Sequence, residues 1–513
     1  MSETNKKSNR IAKNTFVLYF RMAITMLIGL YTGRVILDVL GEVDYGVYNV
    51  VGGVTTMFVF LNSSMSVSTA RFIAYAIGKK DKDLCAKTYN QARIIHYALA
   101  LIIVILIETV GLWFVYNKLT IPPSRLHAAV FILHAVSVVT VLNIIASPDN
   151  ALIISYEKMT AYAYLSILDS GLKLLSVFAL QVVGGDKLVF YAIFMCGIQV
   201  IDRLSFLIYC RSKFDEPHHK FRFDKPIFKK MISFACWNLG GNLANMTLAQ
   251  GITIVINLFC GPAVNAARGV AAQLFNHIQG FSENIRTAIN PQIYKSYAEG
   301  DLNYMHKLIA FSSLSCCYLL VTLGFPAFWL AKYILDIWLV KVPDYTVIFF
   351  QLTLVYTIVN SFANPIIIAI HATGGIKKFQ IVEAVLMLMT LPCAYVFLRM
   401  GLPPYFAYIA MIIFAFISQL GRLWTVLPAI KLSWKNYYIM NIQPVVKVIA
   451  IAVIPTLFFI LLKNFMNDII YSFSQSIISF ISVCLSVYYL GLNITQREKV
   501  KIKIKGILSK IHH

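Results

Sequence analysis

Cationic side chains stand inside or at the ends of long apolar runs, among them Arg21, Arg34, Arg71, Lys173, Arg268 and Arg286. A charge at the centre of a bilayer costs at least ~2.5–3.5 kcal/mol, so it faces a cavity, a partner or the interface. Arginine presents a planar fork that matches phosphate or carboxylate oxygens, and a cavity lined with such groups attracts anions. Carboxylates lie in such runs too, among them Glu108, Asp169 and Glu383. A carboxyl group whose pKa is raised by burial can carry a proton, which makes the three candidates for ion coupling. Asn238, Asn242 and Gln250 recur at near-helical spacing in one run. Hydrocarbon cannot satisfy such a polar stripe, so it must face protein or water. A structural account competes for several of these residues. Arg71, Arg268 and Arg286 can snorkel to the interface, and Asp169 with Lys173, four residues apart, can pair on one helical face. The balance that remains is cationic.

The elements that must position these groups follow from composition. The 513 residues are 58% hydrophobic and 13% charged, with a mean hydropathy of +0.71, whereas a soluble chain is about 25% charged. Apolar runs of the ~20 residues needed to cross a bilayer as a helix recur from end to end. They lie at 14–36, 46–68, 93–115, 128–150, 161–183, 188–210, 231–258, 263–288, 308–331, 346–370, 379–398, 404–427, 445–462 and 470–491. The expectation is an all-α polytopic membrane protein of about 14 transmembrane helices.

The formal net charge of +22 invites a nucleic-acid reading, but its placement opposes one. Lysines and arginines crowd one set of alternating loops: the segment before the first helix, 79–93, 211–230, 422–435 and the C-terminal tail. The opposite loops hold only Lys118, Arg125, Lys187, Lys332, Lys341, Arg399 and Lys463. This asymmetry is the positive-inside bias, and it puts both termini in the cytoplasm. The basic amphipathic stretch at about 71–92 reads as a surface helix on anionic lipid. No phosphate-binding GxxxxGK[ST] loop, G-x-S-x-G or H-E-x-x-H motif is present, the nine cysteines show no C-x-x-C spacing, and the His218-His219 pair has no ligand partners near it. The expectation is a non-enzyme without metal or organic cofactor, and without nucleic acid as a partner.

The chain also repeats itself. An apolar segment ends at Gly41 in Leu40–Gly53 and again before the Gly-Pro of Leu258–Gln273. Ala70–Asp81 can be laid on Asn290–Asp301, and Asp169 on Glu383 with a gap. Two related six-helix lobes are therefore expected, residues 1–215 and 216–430, followed by two further helices and a basic tail over 431–513. Two repeats with intramembrane charges describe a transporter working by alternating access, its halves rocking in a V around a central cavity.

The pattern R-x-x-L-x-x-L-G-x-x-D-Y-G-x-Y-N-V-V-G-G at Arg34–Gly53, G-P-x-V-N-A-A-R-G-x-A at Gly261–Ala271 and N-P-Q-I-x-K at Asn290–Lys295 resembles one branch of a known superfamily. It is the polysaccharide-exporter branch of the MOP superfamily, which contains the Wzx-type O-antigen and capsule repeat-unit flippases of bacteria. The resemblance implies a MATE-like fold in the cytoplasmic (inner) membrane. It also implies movement of an undecaprenyl-diphosphate-linked oligosaccharide to the outer leaflet. With these come a cationic cavity for the diphosphate-sugar head, coupling to a proton or sodium gradient in some members, and the glycan polymerase and assembly machinery as a partner. Tyr31, Tyr45 and Tyr48 are candidates to touch sugar, against the ordinary presence of tyrosine at membrane interfaces. Three readings compete with this one: a multidrug and toxin cation exporter of the same superfamily, a lipid II flippase, and a non-transporting membrane scaffold. Arg21 and Lys173 oppose the cation exporter, and Glu108, Asp169 and Glu383 keep it open.

Overall fold

A computed structural model describes residues 3–56, 59–117, 119, 121–218, 223–338, 342–461, 463–492, 497–498 and 501. The basic residues beyond Lys501 and His219 of the histidine pair lie outside them. The described residues are helical with short turns, and none is in a strand. In chain order the helices are α1 (Glu3–Thr56), α2 (Val59–Gly78), α3 (Lys82–Leu106), α4 (Leu112–Asn117), α5 (Leu126–Ser155), α6 (Met159–Val182) and α7 (Lys187–Lys213). There follow α8 (Lys225–Glu299), α9 (Leu302–Trp338), α10 (Thr346–Asn360), α11 (Ala363–Thr373), α12 (Lys377–Leu388), α13 (Thr390–Arg399) and α14 (Phe406–Ala429). The chain closes with α15 (Trp434–Tyr437), α16 (Gln443–Ile460) and α17 (Asp468–Ser486).

Among the described residues, twelve helical stretches are long and apolar enough to cross a membrane, from Arg10–Gly41 to Asp468–Gly491. The two other runs read from the sequence, 46–68 and 263–288, are helical wherever they are described and follow directly on Gly41 and Gly261. Helix starts carry the expected caps. Asp81, Asp186 and Asp224 accept from the backbone N–H of Leu84, Leu188 and Ile227 at 2.9, 3.1 and 3.0 Å, which satisfies donors the first turn would leave open.

The long helices α1 and α8 each break at a single residue, and the two breaks match. Gly41 has φ 76° and ψ 168°, and Gly261 has φ 78° and ψ 179°. That region of backbone space is open to glycine and closed to residues with a Cβ. Each break is therefore a one-residue interruption, with helix resuming at once. Gly41→Ala and Gly261→Ala are each expected to lower stability by about 1–3 kcal/mol, read as thermal unfolding of the detergent-solubilised protein. An unchanged melting point in both would show that the breaks carry no strain.

The chain divides into two compact units. Unit 1 comprises the residues up to Leu243 together with Thr287–Asp301, and unit 2 comprises Ala244–Arg286 and the residues from Leu302 on. One core of unit 1 lies between α3, α5 and α7, around Ile103, Ile132, Leu133, Ile144 and Leu188. One in unit 2 gathers Leu248, Ile252, Phe349, Phe350, Met387 and Tyr408. A second core in unit 2, with Cys317, Val321, Val448 and Val483, fastens α16 and α17 to α9. The last two helices are thus packed parts of unit 2.

Candidate functional site

Unit 2 holds a cavity of about 480 Å³ whose lining includes Arg268, Arg286 and Arg422, the carboxylate Glu383, and Tyr356 and Tyr408. Each arginine is positioned differently. Arg268 follows the break at Gly261 and reaches back across it, donating to Thr253 Oγ1 at 2.6 Å and to the carbonyl of Ala249 at 2.9 Å. It ties together the helical pieces on either side of the glycine, using only neutral acceptors. Its Nε, also buried, has no hydrogen-bond partner among the described residues.

Arg286 is 7% exposed and donates to Glu283 at 3.3 Å. The Glu283 side chain is 58% exposed. Arg422 on α14 and Glu383 on α12 are both buried, joined through Arg422 Nη2 and Nε at 2.9 and 3.1 Å, and Arg422 Nη1 also donates to Gln419. Glu383 is thereby neutralised. Two further guanidinium groups remain, so the lining is net cationic and suits phosphate or carboxylate oxygens.

Arg422 was missed as a site residue. The charge pattern places it in a cytoplasmic loop at 422–435, yet it lies inside α14, buried and ion-paired. Its position within the apolar run 404–427 was the signal that it belonged to the membrane.

The other sequence candidates are in unit 1, except Gln250, which is exposed and lies outside this cavity in unit 2. Arg21 on α1 donates to Ser166 Oγ at 3.5 Å and stands 5.0 Å from the ring centre of Tyr162, both on α6. Arg34 is exposed. Arg71 is buried among rings, with Phe72, Tyr75 and Phe234 centred 4.3, 5.4 and 5.5 Å away. Lys173 and Asp169 pair at 2.7 Å along α6.

Glu108 pairs with His134 at 2.7 Å, a partner absent from the sequence reading. Asn242 donates to Ser64 Oγ at 2.8 Å and to Ser63 Oγ at 3.2 Å, while Asn238 is buried. Asp202, also unforeseen, receives Gln199 Nε2 at 3.5 Å and faces Asp169 and Lys173. Of the aromatic candidates, Tyr48 packs edge-on against Tyr191 at 4.9 Å, Tyr45 joins the same core, and Tyr31 is exposed beside Phe178. The three coupling candidates thus each hold a cation or a histidine. Of the twelve site candidates, Arg268, Arg286 and Glu383 line the unit 2 cavity together.

A sequence model described as polysaccharide biosynthesis protein matches residues 11–297. No curated protein matches the chain. Among solved structures, a MATE protein in the bent conformation superposes with a TM-score of 0.73 at 14% identity, covering 83% of this chain and 96% of that one. An outward-facing multidrug resistance MATE family transporter of the MOP superfamily gives 0.72 at 14% identity, over 83% and 97%. A MOP superfamily transporter from Pyrococcus furiosus gives 0.70 at 14% identity over the same shares. Its binding pocket is described as having a reverse polarity that suggests a different function. At these identities the likeness concerns the fold, which is MATE-like.

Proposed function

Because the chain belongs to the polysaccharide biosynthesis protein family, matched over more than half its length, and spans the membrane many times, we propose that it is a flippase for an undecaprenyl-diphosphate-linked oligosaccharide. In this reading the repeat unit of a lipopolysaccharide O-antigen or capsule crosses the bacterial inner membrane. The protein works by alternating access, driven by an ion gradient, with both termini in the cytoplasm. The observation that carries the reading is the net cationic lining of the unit 2 cavity, where Arg268 is held by neutral oxygens alone. A dehydrated cation of that kind recognises a diphosphate by charge-assisted, two-pronged hydrogen bonds. Arg286 adds a second donor.

The multidrug exporter reading draws on the MATE neighbours. A cation-binding cavity needs an uncompensated acid, and Glu383 is bound to Arg422. The MOP transporter of reversed pocket polarity indicates that pocket charge varies on this fold, which favours reading substrate charge from this chain's own side chains. The test is complementation of a flippase-deleted, polysaccharide-producing bacterium. Restored surface glycan supports the proposal. Drug resistance conferred on a sensitive strain, without restored glycan, favours the exporter.

Coupling is assigned to the carboxylates Asp169, Glu383 and Glu108, of which Asp169 is the most testable. Its pair with Lys173 lies within one helix, so replacing Asp169 removes no hydrogen bond between helices. Asp169→Asn is expected to lower transport about tenfold or more, equivalent to ~1.4 kcal/mol in the barrier, with membrane abundance unchanged. Reduced abundance with normal transport per molecule would show that Asp169 serves only to hold Lys173.

A further inference from the structure

Unit 1 contains its own cavity, of about 580 Å³, and its chemistry is opposite to that of unit 2. Among the described residues, no lysine, arginine, histidine, aspartate or glutamate lines it. Its polar groups come in helical register. Thr140, Asn143, Ser147 and Asn150 follow one another along α5 at intervals of three and four residues, and Asn62 and Ser66 do the same on α2. Residues so spaced share one helical face. Four neutral polar side chains on one face of a membrane-crossing helix require partners that lipid cannot supply.

Some of those partners lie in the protein. Asn143 and Gln199 exchange amide hydrogen bonds at 3.2 and 3.3 Å, and Ser66 and Ser147 share one at 2.5 Å. The Oδ1 atoms of Asn62 and Asn150 are buried and have no partner among the described residues. Each such acceptor, left open, has lost its water without gaining a donor, which is unfavourable. Tyr162 adds an aromatic ring to the lining, with Arg21 bonded to its helix and stacked on its ring.

We propose that this cavity is a saccharide subsite, taking uncharged sugar rings of the substrate. Sugar hydroxyls donate to the open amide oxygens of Asn62 and Asn150, and the apolar face of a pyranose lies against Tyr162. The volume falls in the range of small-molecule sites, ~300–1,000 Å³. Among the described residues no cation lines the cavity itself, Arg21 being engaged with the Tyr162 ring and Ser166. A phosphate placed here would therefore lose its hydration without a cationic partner in the lining. The inference rests on the flippase reading and divides the substrate's chemistry: neutral sugar to unit 1, anion to unit 2.

The test uses the purified full-length protein in detergent and two probes. A panel of neutral monosaccharides (glucose, galactose, rhamnose and N-acetylglucosamine) is followed by saturation-transfer NMR, and inorganic pyrophosphate by calorimetry. At least one sugar is expected to bind. Its signal should fall about tenfold in the double variant Asn62→Leu with Asn150→Leu, and separately in Tyr162→Ala. Tyr162→Ala keeps the test open if the leucine variant does not fold, as judged by thermal melting. Arg268→Ala should leave sugar binding intact and weaken pyrophosphate binding, the reverse pattern. Absence of sugar binding, or sugar binding that survives both unit 1 changes or falls equally in Arg268→Ala, overturns the subsite. Pyrophosphate binding lost in Arg268→Ala would then still support the flippase reading, whereas pyrophosphate that never binds counts against that reading itself.

Discussion

Arg268→Ala is expected to abolish most transport while leaving the protein in the membrane at normal levels. Removing one partner of a desolvated, hydrogen-bonded charge pair costs about 2–5 kcal/mol, which corresponds to a fall of roughly 30-fold to several thousand-fold. The folding cost is smaller, because the partners left behind, Thr253 Oγ1 and the Ala249 carbonyl, are neutral. Thr253 can turn its hydroxyl to the Ala249 carbonyl, to which it already donates at 2.9 Å. Arg268→Lys separates charge from shape: it keeps the charge but loses the fork, so partial activity is expected. Surface glycan in the complemented strain, normalised to membrane abundance, is the readout. Normal glycan in Arg268→Ala would remove the cationic cavity from the mechanism.

The largest expected loss of stability is at Glu157, a residue outside the cationic cavity. Its side chain is wholly buried, and its backbone turns through φ 58° between α5 and α6. Arg10 Nε reaches it at 2.8 Å, Lys295 Nζ at 2.5 Å and Gln292 Nε2 at 2.6 Å, while Asn14 donates to its carbonyl at 3.4 Å. Glu157 thus joins the first helix, the α5–α6 turn and the end of α8 within unit 1. Deleting one member of a buried pair leaves the other charge uncompensated, at a cost of about 3–5 kcal/mol. Glu157→Gln should therefore melt well below wild type.

The pH dependence carries a sign. Burial lowers the pKa of Lys295 from its usual value, and Glu157 opposes that shift. Without Glu157 the folded-state pKa falls further below the unfolded one. Between the two values the unfolded chain binds more protons, so stability rises with pH. The deficit of Glu157→Gln should shrink under alkaline conditions, where Lys295 can fold uncharged. A deficit that is absent, or that grows with pH, would refute the assignment.

Local rules made much of this protein readable from its residues. Apolar runs long enough to cross hydrocarbon marked the membrane helices, because backbone groups in lipid must bond within their own segment. The repeat of Gly41 in Gly261 foreshadowed two helix breaks with nearly the same dihedral angles, since no other residue accepts that backbone. Asp169 and Lys173 were legible as a pair because four residues are about one helical turn.

Tertiary packing decided the rest. Glu383 meets Arg422 across 39 positions, Lys295 meets Glu157 across 138, and Glu108 meets His134 on another helix. Such pairs depend on how each helix is rotated about its axis and which neighbour it packs against, which spacing within one helix does not encode. The same rotation gathers Arg268, Arg286 and Arg422 around one cavity and turns the polar face of α5 toward another. The sequence by itself determined the spans, the paired glycine breaks and the excess of cationic side chains. The folded chain decided which charges cancel and which stay available to a ligand, because at short range in a low-dielectric interior the partner sets the chemistry of a charge.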